Sequence, residues 1–360
     1  MKNKQKICFY ILIFIGIASR VFSLLYYYFL SDVSPLGIYS FGDVHLNFYD
    51  VDSILTGEWI WNDMELAYPP LSIYFLLILR FLSFNNLYVF FFYSFLVEII
   101  ASFLFYFVLK KFRIPNYQII FGFFLLNPFY YFSYVFRGIQ SGYRITDSFF
   151  NIFLLLALYY YNKENKSLFY IFSALSSCVK WYTLPLLFFI FLKHLLEKDW
   201  NQMKKFIIYS GVPIFIFLLS PIFYLPNYLD LYLSWLSGHS ITSSIPFYVK
   251  IIPFVILLII FTFKIKKFDF IDLIFISIIL MVTIIWWSRF YIRYLAPLIY
   301  YGHINTNESL FSFKMEVSDK QWNFSLNKHS LTFIISILAA GFVILIAILD
   351  YAYWGLPFLW

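Results

Sequence analysis

Residues 7–30 read ICFYILIFIGIASRVFSLLYYYFL, with Arg20 as their single charge, and residues 330–349 read SLTFIISILAAGFVILIAIL with none. A helix crosses the hydrocarbon of a bilayer with roughly 20 such residues. Runs of this kind recur along the chain, and they are continuous rather than alternating, which points to membrane helices and away from a β-barrel. The composition agrees. Hydrophobic residues make up 62% of the chain and charged residues 12%, about half the charged fraction of a soluble domain. The expected fold is therefore all-α: a polytopic membrane protein of about nine to eleven transmembrane or half-spanning helices, forming one domain over residues 1–360.

The net charge of +7 is gathered in short basic loops, as membrane orientation requires, so it implies a bilayer partner and no nucleic acid. Lys2, Lys4 and Lys6 place the N-terminus on the cytoplasmic side. The apolar run behind them is too long for a signal peptide and has no small-residue cleavage site, so it reads as a retained first helix. Residues 31–67 then lie outside. They hold Asp32, Asp43, Asp50, Asp52, Glu58, Asp63 and Glu65, and no lysine or arginine.

For Lys110, Lys111 and Arg113 to return to the cytoplasm, residues 68–84 must dip into the membrane or lie at its surface instead of crossing it. Pro69 and Pro70 suit a helix start there. Segment 167–192 carries Lys180 and Pro185 near its middle and is flanked by basic residues on both sides, which predicts a broken or hairpin element with both ends inside. Crossings are expected over 117–136, 145–161, 206–224, 250–263, 270–287 and 330–349, with 302–329 as a polar cytoplasmic loop. Cys8 and Cys178 both lie in apolar stretches and suggest neither a disulfide framework nor a thiolate metal site. No internal repeat is visible.

Ionisable groups near membrane depth are costly and mark functional paths. Asp43 sits among aromatic residues after Gly42, where partial desolvation would raise its pKa and make it a usable general base; His45 is a candidate to orient it. Asp50 and Asp52 offer oxygen donors to a divalent cation or to a substrate, and no other cofactor is implied. Arg289 and Arg293 are four residues apart, on one helical face, beside Trp286 and Trp287. Arg137 and Arg144 flank the turn RGIQSGYR. Lys180 lies well inside an apolar segment and is expected to pair with a phosphate or a carboxylate. Glu98, in SFLVEIIASF, is expected to be the buried partner of a polar neighbour, and His239 a contact in an external loop. No glycine-rich phosphate loop, Ser-His-Asp order or metal-spaced His/Cys cluster is present, so a nucleotide-sugar has no visible site.

Residues 41–75, FGDVHLNFYDVDSILTGEWIWNDMELAYPPLSIYF, resemble the first lumenal loop of the GT-C membrane glycosyltransferases. The likeness is to the dolichyl-phosphate-glucose-dependent glucosyltransferases, with their GD…W…YPPL pattern, and to related polyprenyl-phosphate-dependent mannosyltransferases. Three later stretches are similar to family elements: RGIQSGYRITDSFFNIFLLLAL, with Gln140 in its external turn; SALSSCVKWYTLPLLFFIFL, with Lys180 in a Lys–aromatic–Pro helix; and SRFYIRYLAP. The chain is shorter than most members and lacks their large polar C-terminal module. Tyr143 and Arg144 stand where an acidic residue often follows the glutamine.

The resemblance implies an inverting transfer of a hexose from a polyprenyl-phosphate donor to a lipid- or glycan-linked acceptor hydroxyl, on the external or lumenal face of a plasma or endoplasmic-reticulum membrane. Asp43 would be the base. Arg289, Arg293, Arg137 and Lys180 would meet the donor phosphate, and Asp50, Asp52, Tyr68, Gln140 and His239 would contact substrate. The competing reading is a multi-pass transporter or lipid flippase, which broken helices also suit; such proteins usually show paired halves, and this chain shows none.

Overall fold

The computed structural model describes residues 2–30, 47–49, 51, 69–128, 145–220, 247–285, 297–304, 309–317 and 320–352. Helices dominate: α1 (Lys2–Leu30), α2 (Pro70–Leu82), α3 (Leu87–Lys111), α4 (Tyr117–Leu126), α5 (Ile145–Asn162), α6 (Lys166–Val179), α7 (Leu184–Leu196), α8 (Trp200–Ile214), α9 (Phe247–Phe263), α10 (Phe270–Ile285), α11 (Pro297–Tyr301) and α12 (Lys328–Ala352). Among the described residues two helical stretches, Leu87–Lys111 and Trp200–Leu219, are long and apolar enough to cross a membrane.

The helical scaffold agrees with the all-α expectation. The correction falls on 302–329, expected as a polar loop. Within it β1 (Ser309–Val317) pairs antiparallel with β2 (Lys320–Asn327). The cause is a period of two: Phe311, Phe313 and Met315 alternate with polar residues and stand in register opposite Leu326, Phe324 and Trp322. Cross-strand pairs of that kind stabilise a two-stranded ribbon.

Local chemistry fixes the helix ends. Pro70 opens α2 at a position where its missing N–H costs nothing. Asn86 caps α3 by accepting from the amides of Tyr88 and Val89 at 2.9 and 3.2 Å, and Asn165 and Asp199 cap α6 and α8 in the same way. α3 closes with Arg113 in the left-handed region (φ 55), its amide and that of Ile114 bonding back to Lys110 and Leu109. Pro213 interrupts the ladder of α8, which runs on as a π-turn over Phe215–Leu219.

Three helices lock around one buried ion pair. Arg20 of α1 donates through Nε to both carboxylate oxygens of Glu98 on α3, 3.1 Å each, and through Nη1 to the carbonyls of Gly16 and of Leu125 at the end of α4. Ser102, one turn on, donates to Glu98 at 3.1 Å. Glu98 is thus the buried partner of a polar neighbour, as its setting predicts. The helices can approach because Gly16 faces Leu125: a Cβ on Gly16 would lie 2.6 Å from the Leu125 Cβ.

A second convergence gathers helix ends. Phe270, opening α10, packs on Tyr161, Phe169 and His194. Lys193 donates to the Phe268 carbonyl at 2.6 Å, and Lys328, opening α12, pairs with Asp272. The end of α5, the start of α6, the end of α7 and the starts of α10 and α12 therefore meet at one pole. His303, in the turn after α11, shares an Nδ1–Nδ1 contact of 2.8 Å with His329 there. Burial and the neighbouring ring push its pKa down to about 3, so it is neutral at ordinary pH.

Candidate functional site

The broken element predicted over 167–192 is a hairpin. Tyr170, near the start of α6, bonds His194, near the end of α7, at 2.8 Å, so the two legs run antiparallel with Lys180 at their tip. The legs hold 14 and 13 residues, which at 1.5 Å per residue is roughly 20 Å each, short of the roughly 30 Å hydrocarbon core of a bilayer.

The tip is built from hydroxyls. Ser176 and Ser177 donate back to the Ser173 carbonyl at 2.8 and 3.2 Å, and both share a contact with the Thr183 hydroxyl at 2.8 and 2.9 Å. This spends the side chains of the last turn of α6 on closing a short 3₁₀ turn, Trp181–Thr183. Lys180 between them is extended (φ −146, ψ 141), its amide bonding Ser176 at 3.0 Å, and Pro185 then starts α7. The lysine is carried on a break in helical structure.

Its ammonium pairs with Asp147, in the first turn of α5, and lies 5.5 Å from the Tyr182 ring centre. Both charged residues are enclosed, Lys180 at 9% and Asp147 at 3% exposure, so pairing offsets part of the desolvation cost of each. Around Asp147, the hydroxyls of Thr146 and Ser148 are buried without a hydrogen-bond partner among the described residues.

The first turn of α2 completes the site. Ser72 donates to the Val179 carbonyl, the last of α6, at 2.5 Å. Phe75 stacks on Phe149 of α5 at 4.6 Å, and Tyr74 meets Phe217 at 6.5 Å. The residue that follows the YPPL motif, Ser72, thereby touches the residue before Lys180. One turn along α5 from Asp147, Asn151 accepts from Tyr301 of α11 at 2.7 Å. In chemical terms the site is an enclosed cation with a matched anion, close to small hydroxyls and to the ends of helices.

Of the residues singled out from sequence, the structure describes Lys180 and Glu98. Lys180 pairs with a carboxylate, that of Asp147, and stands at the tip of the expected hairpin; the contact of that tip with α2 is new. Asp43, His45, Asp50, Asp52, Tyr68, Arg137, Gln140, Arg144, His239, Arg289 and Arg293 lie outside the described residues. Asp147 was not singled out. The signal for it was available: one acid opening an apolar helix and one lysine breaking another are two costly charges that relieve each other by pairing. Among the described residues no three His, Cys, Asp or Glu side chains gather as a metal site. A surface groove of about 750 Å³ beside Lys110, Lys111 and Arg113 does not include Lys180. Comparison with protein-family models, curated proteins and solved structures finds no match to the chain.

Proposed function

We propose that the chain is a multi-pass GT-C-type membrane glycosyltransferase that moves a hexose, mannose or glucose, from a polyprenyl-phosphate donor to an acceptor hydroxyl on the external or lumenal face. The observation that carries this reading is the contact between two stretches that resemble family elements: the helix opened by YPPL and the lysine-bearing hairpin tip meet through Ser72 and Val179. The acidic, cation-free loop over residues 31–67 precedes that contact directly.

In this reading the N-terminus is cytoplasmic and about nine to eleven helices span or half-span a plasma or endoplasmic-reticulum membrane. Asp43 removes the proton of the acceptor hydroxyl as its oxygen attacks C1 of the sugar. The bond from C1 to the phosphate oxygen breaks, the lipid phosphate leaves with its electron pair, and the anomeric centre inverts. Lys180, with Arg137, Arg289 and Arg293, neutralises the charge that develops on the phosphate. Asp50, Asp52, Tyr68, Gln140 and His239 contact sugar or acceptor, with Asp50 and Asp52 the pair to hold a divalent cation if transfer needs one.

Purified protein assayed with several polyprenyl-phosphate hexoses and membrane extracts tests this. Asp43→Asn is expected to lower the transfer rate by about 10²–10⁴ while insertion and melting temperature stay unchanged; full activity removes Asp43 as the base. The short helix and the hairpin also suit a transporter. Solute flux across sealed vesicles without glycosyl transfer decides for that alternative.

A further inference from the structure

Lys180 has a partner already, the carboxylate of Asp147. We propose that Asp147 is the resident counter-ion of Lys180, displaced when a polyprenyl phosphate binds, so that this carboxylate sets donor affinity without taking part in the chemistry; the identity of the lipid rests on the transferase reading.

Three observations carry the exchange. First, an enclosed ammonium is held with an anion beside it, and the carboxylate of Asp147, itself buried, is in contact with Lys180. Second, the displaced carboxylate is not stranded. It sits in the first turn of α5, where unpaired amides and the positive end of the helix dipole stabilise an anion. Third, the Thr146 and Ser148 hydroxyls, on either side of Asp147 in the chain, are buried without a hydrogen-bond partner among the described residues. A phosphate brings several acceptor oxygens to that neighbourhood, where a carboxylate already engaged with lysine brings two. The exchange is one anion for another, so the buried charge balance is kept throughout.

An internal competitor lowers the apparent affinity of its ligand by the fraction of time it holds the site. Removing the charge of Asp147 therefore strengthens phosphate binding, the reverse of what loss of a ligand-binding or catalytic residue produces. The test uses the full chain in lipid nanodiscs with a sugar-free polyprenyl monophosphate as probe. Asp147→Asn is expected to bind it about fivefold tighter, and Lys180→Gln about tenfold weaker or worse. In transfer, Asp147→Asn lowers KM for the donor and leaves kcat unchanged.

The paired variant Asp147→Leu with Lys180→Met separates structure from binding, because apolar replacement of a whole buried pair is tolerated. It is expected to melt like the wild type and to bind the probe no better than Lys180→Gln. Wild-type affinity in the paired variant overturns the proposal, as does weaker binding by folded Asp147→Asn. A collapse of kcat in Asp147→Asn with binding unchanged overturns it too and assigns Asp147 to catalysis. Since the probe carries no sugar, wild-type binding without transfer from any polyprenyl-phosphate hexose removes the transferase reading and leaves the counter-ion exchange standing.

Discussion

Arg20 and Glu98 are both buried, and each balances the other within a network that also takes in Gly16, Leu125 and Ser102. Removing one partner leaves an uncompensated charge. Glu98→Ala is therefore expected to cost about 3–5 kcal/mol, measured as a fall in denaturation midpoint in detergent, whereas Arg20→Met with Glu98→Met costs far less. Similar costs for the single and paired variants would show that the pair adds nothing by its charges. The two buried pairs were unequally legible in the sequence. Glu98 stands alone in an apolar stretch, so its need for a partner could be read from its neighbours; which residue answers it, 78 positions away, could not. Lys180 was legible for the same reason. Asp147 was less legible: its cost as an acid in an apolar helix is a signal, but an acid near a helix start also has a local explanation in the helix dipole, which masks a second, long-range use.

Helices with short connections were read well, since punctuation by proline, asparagine and basic residues is local chemistry. The helix after YPPL is short, Pro70–Leu82, and the segment centred on Lys180 folds as a hairpin. The strand pair over 309–327 is masked in the sequence because its many polar residues give the stretch the composition of a loop, and only the alternation marks it as strand. Packing between elements depends on particular small residues. Gly16 meets the Leu125 Cβ at 2.6 Å when given a Cβ, whereas Gly211 on α8 meets nothing within 4 Å. Gly16→Ala is expected to push α1 from α4 and cost about 1–3 kcal/mol, while Gly211→Ala raises stability by up to about 1 kcal/mol through helix propensity. Thermal melts of the two variants, run side by side, check the contrast; equal shifts would mean that α1 and α4 do not pack through Gly16.

Across the whole molecule, the contacts of Phe270, Lys193 and Lys328 bring the basic connections of the helices to one pole, and Lys180 lies at the far end of the hairpin legs. In a Cys8→Ser, Cys178→Ala background, single substitutions Lys111→Cys, Glu164→Cys, Lys198→Cys and Lys266→Cys are expected to react with an impermeant thiol reagent from the same side of sealed vesicles. A site reacting from the opposite side would refute the cytoplasmic assignment of that pole. The hairpin itself has a consequence for how such a chain is put together. A segment that enters a membrane and leaves by the same surface contributes an even number of passages. It can be lengthened, shortened or removed without inverting any helix that follows. In the proposed topology, orientation downstream of residue 197 is inherited from α5, and the stretch that bears the lysine is free to vary in shape while the sidedness of everything after it is conserved by parity alone.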